Sequence, residues 1–512
     1  MKKVFLSILI AGALFTSCDM NELPAGTLSD ETAIQTEKDA MKFRNGIYNS
    51  IRSLTGGGYI AYPDIQADLF IGTVVNGNRI GPISAGNINS STQEFASFWS
   101  GPYSSIADVN YFLPKVESLM AAAGISDAER ISLQRYRGEA HWARAFFYYF
   151  LADHYCNSYN VGDPNAANTG VPLITEYKPT GDYTQYKGRS TLAETFALVE
   201  RDLEQAYSDL EAYEKSGVDG ATANLASNAS YLSTYTVLAL QARVALLKGD
   251  YDTAIAKAEK VISGPYELSD YDEYLNMWVT DAGKELIFVP YGDSKQSPSV
   301  PSTGSAWLSN KEGVIDYVPS SDVLGLYSEE DVRNYSFFDY FELKNEGQGT
   351  MAMSFIKFPG NPVFNTGSDN AFKNKPKPFR LSEMYLIVAE AAAAKGNATD
   401  KANAALNAIR KARIEGYNDQ SLSGTTLINE IRMERAKELI GEGFRISDLR
   451  RWGLGFTRPV NYSGYLSDLP SVLLPSSVET VYQAGDYRYV LPIPVGEMDS
   501  NPQLKGHQNP GY

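Results

Sequence analysis

Two apolar, alanine-rich runs separated by Lys248-Gly249-Asp250 leave the chain between Tyr235 and Ile262 little choice but a helical hairpin. Tyr251, Ala254, Ile255, Ala258 and Val261 recur at helical spacing, and Pro265 follows the end. Ala242 and Ala254 are small enough to let the two helices approach closely. Arg380–Arg413 repeats the arrangement, with Ala391 to Ala394 in the first run and a Gly396-Asn397 stop. An ordinary alanine-rich hairpin is the plainer reading of either pair taken alone.

Close-packed pairs of this kind follow the logic of tetratricopeptide units, but the interval between them is not constant, which excludes a regular solenoid. Further helical periodicity runs through Glu37–Leu54, Thr92–Ala123, Asp127–Tyr155 and Thr191–Tyr213. In the third of these Trp142, Ala145, Phe146, Tyr149 and Phe150 make a wide apolar stripe, and Trp99 and Trp142 are expected in the core. Between the helices lie Gly-, Asn-, Pro- and Ser-rich stretches at 56–91, 156–189 and 285–378, with Leu286–Val289 a short strand; the chain is irregular again after Leu449. The expected fold is mainly α, a tetratricopeptide-like helical-pair scaffold with long irregular loops and a few short strands. Loops this long in a compact domain are functional or disordered.

The N-terminus reads as an export signal. Lys2 and Lys3 precede an apolar run from Val4 to Phe15 that is too short to span a bilayer. Leu14-Phe15-Thr16-Ser17-Cys18 looks like a lipobox, which implies cleavage before Cys18 and acylation of its thiol. The expected organisation is a signal peptide at 1–17, a Pro- and Gly-punctuated lipidated tether at 18–31, and one domain over 32–512. Lipidation of Cys18 leaves Cys156, the other cysteine, without a partner, so disulfides contribute nothing. Loss of Lys2 and Lys3 makes the mature chain two charges more acidic than the formal −16 of the whole. A chain this acidic repels nucleic acid and anionic head groups.

The chain carries no recognisable catalytic or metal-binding signature. Its three histidines, His141, His154 and His507, form no HExxH or other zinc pattern, and two of them sit on the apolar helix. Gly81-Pro82-Ile83-Ser84-Ala85-Gly86 lacks the spacing of a nucleophile elbow, and no Gly-rich loop ends in Lys-Ser or Lys-Thr. A glycosidase carboxylate pair is set by distance in space and has no fixed spacing. Neither a metal nor a cofactor is expected, and the chain reads as a binding module and not an enzyme. Glu430, Glu434, Glu438 and Glu442 share one helical row, repulsive unless cations such as Arg435, Arg445 or Arg451 neutralise it. An internal charge network clamping the last helices is one reading; a solvated acidic face is the other.

Four segments resemble the SusD/RagB family, the surface lipoproteins of Bacteroidetes that serve nutrient import. They are Pro378–Ala391; Leu406–Arg413; the run through Ile431, Arg435, Glu438, Glu442-Gly443, Asp448-Leu449 and Arg451-Trp452-Gly453; and the ending Leu491-Pro492-Ile493-Pro494 to Gln508-Asn509-Pro510-Gly511-Tyr512. The resemblance implies an outer-membrane protein, anchored by lipid alone and facing the exterior, that docks on a SusC-like TonB-dependent transporter. There it would act as a hinged lid capturing nutrient, a glycan or in some members a peptide. By position, the ligand loops would be 56–95 and 290–320. The first carries Tyr59, Tyr62, Asp64, Asp68, Phe70, Asn76, Asn78 and Arg79; the second carries Tyr291, Trp307 and Tyr317. Aromatic faces with Asn, Asp and Arg suit sugar rings and their hydroxyls. The chosen ligand residues are Trp307, Tyr291, Tyr317, Tyr62, Asp68, Asn78 and Arg79. Trp307 leads because it has no helical face to serve; burial against the scaffold is its competing role, and a turn cap is that of Asp68.

Overall fold

The computed structural model describes residues 33–72, 81–218, 229–295, 300–308, 315–343, 350–364, 372–458 and 480–512. Asn78, Arg79 and Cys18 lie outside them. The longer helices in chain order are α1 (Glu37–Leu54), α2 (Gly58–Gln66), α3 (Gln93–Ala121), α4 (Asp127–Tyr155), α5 (Leu192–Ser216), α6 (Thr234–Lys248), α7 (Tyr251–Ile262), α8 (Tyr271–Thr280), α9 (Leu381–Lys395), α10 (Thr399–Arg413) and α11 (Gly424–Leu439). Short antiparallel strand pairs join distant loops: β1 (Phe70–Gly72) with β3 (Tyr317–Pro319), β2 (Leu286–Phe288) with β6 (Phe379–Arg380), β4 (Phe338–Leu343) with β5 (Thr350–Phe355), and β7 (Phe456–Arg458) with β8 (Thr480–Tyr482). The chain is mainly helical, as its periodicity requires.

Local chemistry sets the helix ends. Ser126 with Glu129, and Thr191 with Glu194, close reciprocal capping boxes at the starts of α4 and α5. Gly249 ends α6 in the left-handed region at φ 74°, and Asp250 caps α7 by accepting from the Thr253 N–H. Buried Ala242, Ala245, Ala254 and Ala258 line the α6–α7 pair. The second hairpin, α9–α10, packs through α9 directly against α7, so the two pairs join although a long stretch of chain separates them. One apolar core runs from Ile34 to Leu504, and Trp99 and Trp142 are buried within it.

The acidic row is internal, but its cations are not the expected ones. Glu434 accepts from Arg333 at 2.6 Å and Arg410 at 2.9 Å. Glu438 accepts from Arg380 at 2.8 Å and from Arg333 and Arg413 at 3.1 Å. Glu442 takes Arg380 and Lys357, and Glu430 takes Arg410. The neighbouring arginines are committed elsewhere: Arg435 to Asp448, Arg445 to Asp68, and Arg451 to Glu390 and Asp448. Cations close in sequence sit off the row, and the fold supplies others from earlier in the chain.

The stretch after Gly56 is also more ordered than its composition suggests. It holds α2, and Asp64 on α2 is fully buried, accepting from the backbone N–H of Gly441 at 2.6 Å, Arg445 at 3.0 Å and Gly443 at 3.2 Å. Gly441 and Gly443 adopt φ of 79° and 87°, so that their N–H groups turn toward the carboxylate. Burial pushes Asp64 up to about 7 against the pull of those three donors.

Trp307 belongs to the core, which corrects the expectation of an exposed platform. It is fully buried, 4.9 Å from Phe355, 5.5 Å from Phe70 and stacked 6.0 Å from Phe358. The backbone on either side of it is tied by the Leu308–Ile315 bridge and the Asp316 N–H to Trp307 carbonyl bond. Tyr317, in β3 opposite Gly72, is buried for a related reason: strand pairing turns it inward.

These contacts make measurable claims. Trp307→Ala should lower unfolding free energy by about 3–5 kcal/mol, read by chemical denaturation. Arg413→Met leaves buried Glu285 and Glu438 short of one shared cation and should remove about 3 kcal/mol; Arg445→Met, whose pair with Asp68 is partly exposed, should remove about 1. Burial opposes the charge on Glu438, yet Arg413, Arg380 and Arg333 outweigh it and hold the group well below its ordinary 4.5. Its stabilisation is therefore complete above that value and lost as pH falls through the lower folded value, so the Glu438 contribution, read as the difference in denaturation midpoint between wild type and Glu438→Gln, should stay flat to about pH 5 and shrink below about pH 4.5.

Candidate functional site

The same charge network aims an exposed aromatic, Tyr291. Glu285 accepts from Arg380 and Arg413 and from the Ser269 N–H, which fixes the residue just before β2. β2 pairs with β6, the Val289 N–H donates to the Ala229 carbonyl at 2.8 Å, and the chain emerges at Tyr291. Tyr291 is 47% exposed. Its hydroxyl donates to Asp293 Oδ2 at 2.7 Å, and that bond together with the Asp293 charge raises the phenol's pKa. Arg52, at the end of α1, donates to the Tyr291 carbonyl and, at 2.5 Å, to Asn49 Oδ1. Lys375 Nζ stands 5.8 Å from the ring centre.

A second tyrosine joins this face. Tyr231 is 38% exposed and close enough to act electrostatically on Tyr291. Arg44 and Arg135 lie 4.8 and 4.7 Å from its ring centre, and both guanidinium groups pair with buried Glu139. Tyr48 donates to the same carboxylate at 2.8 Å and accepts the Leu232 N–H at 2.9 Å, pinning the backbone beside Tyr231. The rings are thus placed before any ligand arrives, which limits the ordering cost of binding.

Of the expected ligand residues that lie among the described residues, this face contains Tyr291 alone. Trp307 and Tyr317 are interior. Tyr62 is half-buried on α2, stacked 6.2 Å from Phe98 and edge-on to Phe95. Both oxygens of Asp68, expected as a ligand contact with a turn cap as its competing role, accept instead from Arg445, at 2.7 and 2.6 Å, in an ion pair. Tyr231, Asn49, Arg52, Asp293 and Lys375 were not anticipated. Asn49 and Arg52 sit among the polar positions of an amphipathic helix, where nothing in sequence separates them from solvated neighbours. Tyr231 next to a helix start, beside a polar stretch, was the one usable signal.

The face offers aromatic edges and surfaces with an amide, a carboxylate and the Lys375 ammonium around them, while Arg52 is buried and serves to hold the Tyr291 backbone. That set can stack on an apolar ring face and bond its hydroxyls. Among the described residues no cluster of three or more His, Cys, Asp or Glu could hold a metal ion.

A family model described as the SusD family matches residues 344–512, and one described as "starch-binding associating with outer membrane" matches residues 74–232. A SusD-like protein, P38, of Formosa agariphila is 24% identical over 87% of this chain and 90% of its own length. A SusD superfamily crystal structure from Bacteroides thetaiotaomicron is 29% identical, with a TM-score of 0.74 over 93% of this chain and 100% of that one. Surface glycan-binding protein A from Bacteroides fluxus shares the fold at 21% identity and a TM-score of 0.67, over 93% of this chain and 100% of its own. The matched models cover both the α3–α5 helices and the α9–α11 end that holds the buried charge network, and together with the shared fold they show that the chain belongs to the SusD/RagB family.

Proposed function

We propose that this protein captures nutrient oligo- or polysaccharide at the cell surface and passes it, without cleaving it, to a SusC-like TonB-dependent transporter. The observation that carries the reading is Tyr291: an exposed ring held in place from behind, among donors and acceptors on a rigid scaffold. Its environment matches what a sugar presents, an apolar ring face edged with hydroxyls. The family descriptions of starch binding and outer-membrane association, and a structural relative described as glycan-binding, point the same way. Attachment would be through lipid on Cys18, and no helix among the described residues is long and apolar enough to cross a membrane. A peptide ligand is the runner-up.

Titration calorimetry against a glycan panel tests the reading. Wild type should bind in the micromolar to millimolar range, because sugar hydroxyls exchange water for protein with little net gain. Tyr291→Ala should weaken binding by about 1–3 kcal/mol while keeping the denaturation midpoint. Incubation should release no new reducing ends; their appearance would make the protein a hydrolase, and binding of peptides alone would install the runner-up. Cys18→Ala should release the protein from membranes or leave it unprocessed, and a variant that remained acylated and membrane-bound would displace the anchor.

A further inference from the structure

A second concavity lies away from the Tyr291 face, between α3, α4 and the segment that follows α4. It is a groove of about 560 Å³, within the range of about 300–1,000 Å³ common for small-molecule sites. Its outer wall is Tyr177, 44% exposed and set edge-to-face 5.2 Å from Tyr111 on α3. This wall is built and does not merely hang there. The Ile174 carbonyl accepts from Asn110 Nδ2 and from the Tyr148 hydroxyl, each at 2.8 Å, and the Ile174 N–H donates to that hydroxyl at 2.7 Å. The Tyr103 hydroxyl holds the Pro172 carbonyl at 2.8 Å. Three side chains from two helices therefore fix the backbone three and five residues before the ring.

The polar lining complements the aromatic one. His141 Nδ1 meets Asp202 Oδ1 at 2.8 Å, and Asp202 is itself clamped by Arg144 at 2.7 and 2.8 Å. With Nδ1 donating to that carboxylate, Nε2 is the acceptor of the imidazole, and it has no protein partner among the described residues. Glu117 and Glu176 add acceptors on opposite walls, and Lys115, 5.6 Å from the Tyr111 ring centre, adds a donor. Charges of both signs around two rings disfavour a strongly anionic or cationic ligand and match a neutral, hydroxyl-rich one with an apolar face.

We propose that this groove is a second carbohydrate site, in which a pyranose ring stacks on Tyr177 and its hydroxyls bond His141 Nε2 and the flanking carboxylates. The proposal rests on the carbohydrate-binding reading above and goes beyond it: a chain long enough to touch both places would be held at two points, and a short one would bind twice. Two modest contacts on one polymer give a higher combined affinity than either alone.

The test is calorimetry of the full mature chain with maltohexaose, cellohexaose, xylohexaose, mannohexaose and laminarihexaose. Wild type should bind its preferred hexasaccharide at two sites; Tyr177→Ala and Tyr291→Ala should each lose one, by a drop of about tenfold or more in affinity there, and the double variant both. Tyr177→Phe should retain the groove site, and an unaltered thermal midpoint would exclude unfolding as the cause. If Tyr291→Ala alone abolishes binding and Tyr177→Ala matches wild type in affinity and stoichiometry, the groove site is overturned and the Tyr291 reading stands. If Tyr177→Ala abolishes binding and Tyr291→Ala matches wild type, the groove stands and the Tyr291 face falls. Binding of peptides alone, or of no saccharide, overturns both.

Discussion

The carboxylate of Glu438 is the junction on which the rest of the architecture leans. It is buried, and three guanidinium groups reach it from separate stretches of chain: Arg333, Arg380 at the head of α9, and Arg413 at the end of α10. Taking such charges out of water is expensive, and mutual attraction offsets that only when every partner is in place. Here the partners are shared. Arg333 also holds Asp331 and Glu434, Arg380 and Arg413 also hold Glu285, and Lys357 donates to the carbonyls of Glu438 and Ile440 as well as to Glu442. Burial drives Lys357 down to about 8 against the pull of Glu442. An all-or-none cluster of this kind locks the loop-rich stretch before α9 to the last helices, where apolar contacts alone would leave register loose.

Function inherits its geometry from that cluster. Glu285 is one member, β2 starts at the next residue, and Tyr291 emerges where the strand ends. β6, which pairs with β2, ends at Arg380, so both strands of the sheet are tied to the same carboxylates. A smaller cluster about Glu139 does the same for Tyr231 through Arg44, Arg135 and Tyr48. Buried ion pairs contribute little net stability compared with apolar packing, but they fix direction. For a shallow ligand face whose individual contacts are weak, direction is what counts, because any freedom left in the rings is lost on binding.

The division of aromatic residues follows from where the loops can fold. The 303–308 segment turns its tryptophan inward, where Phe70, Phe355 and Phe358 pack around the indole. That burial leaves the indole N–H without a hydrogen-bond partner among the described residues, a penalty that ring packing has to exceed. Tyr177 and Tyr291 stay outside because the backbone beside each is tethered by polar bonds that hold the segment against the scaffold and leave the ring beyond it.

Sequence by itself determined the helices and their pairing. Period, alanine content, capping residues and the Gly249 and Gly396 stops are local quantities, and local quantities suffice to write α6–α7 and α9–α10. It also marked the acidic row as repulsive unless neutralised, since four carboxylates on one helical face repel each other, but left an internal network and a solvated face both open. It did not say which arginines would come, because Arg333, Arg380 and Arg413 are brought to Glu438 by packing across the whole second half of the chain. For the ligand face, residue type in a loop carries no information on burial: Trp307 and Tyr291 look equally exposed in sequence, and only the folded loops bury one and present the other. Tertiary structure alone decided the site, because it joins the end of α1, the chain before α6, the end of β2 and the chain before β6, and no local pattern records that such segments meet.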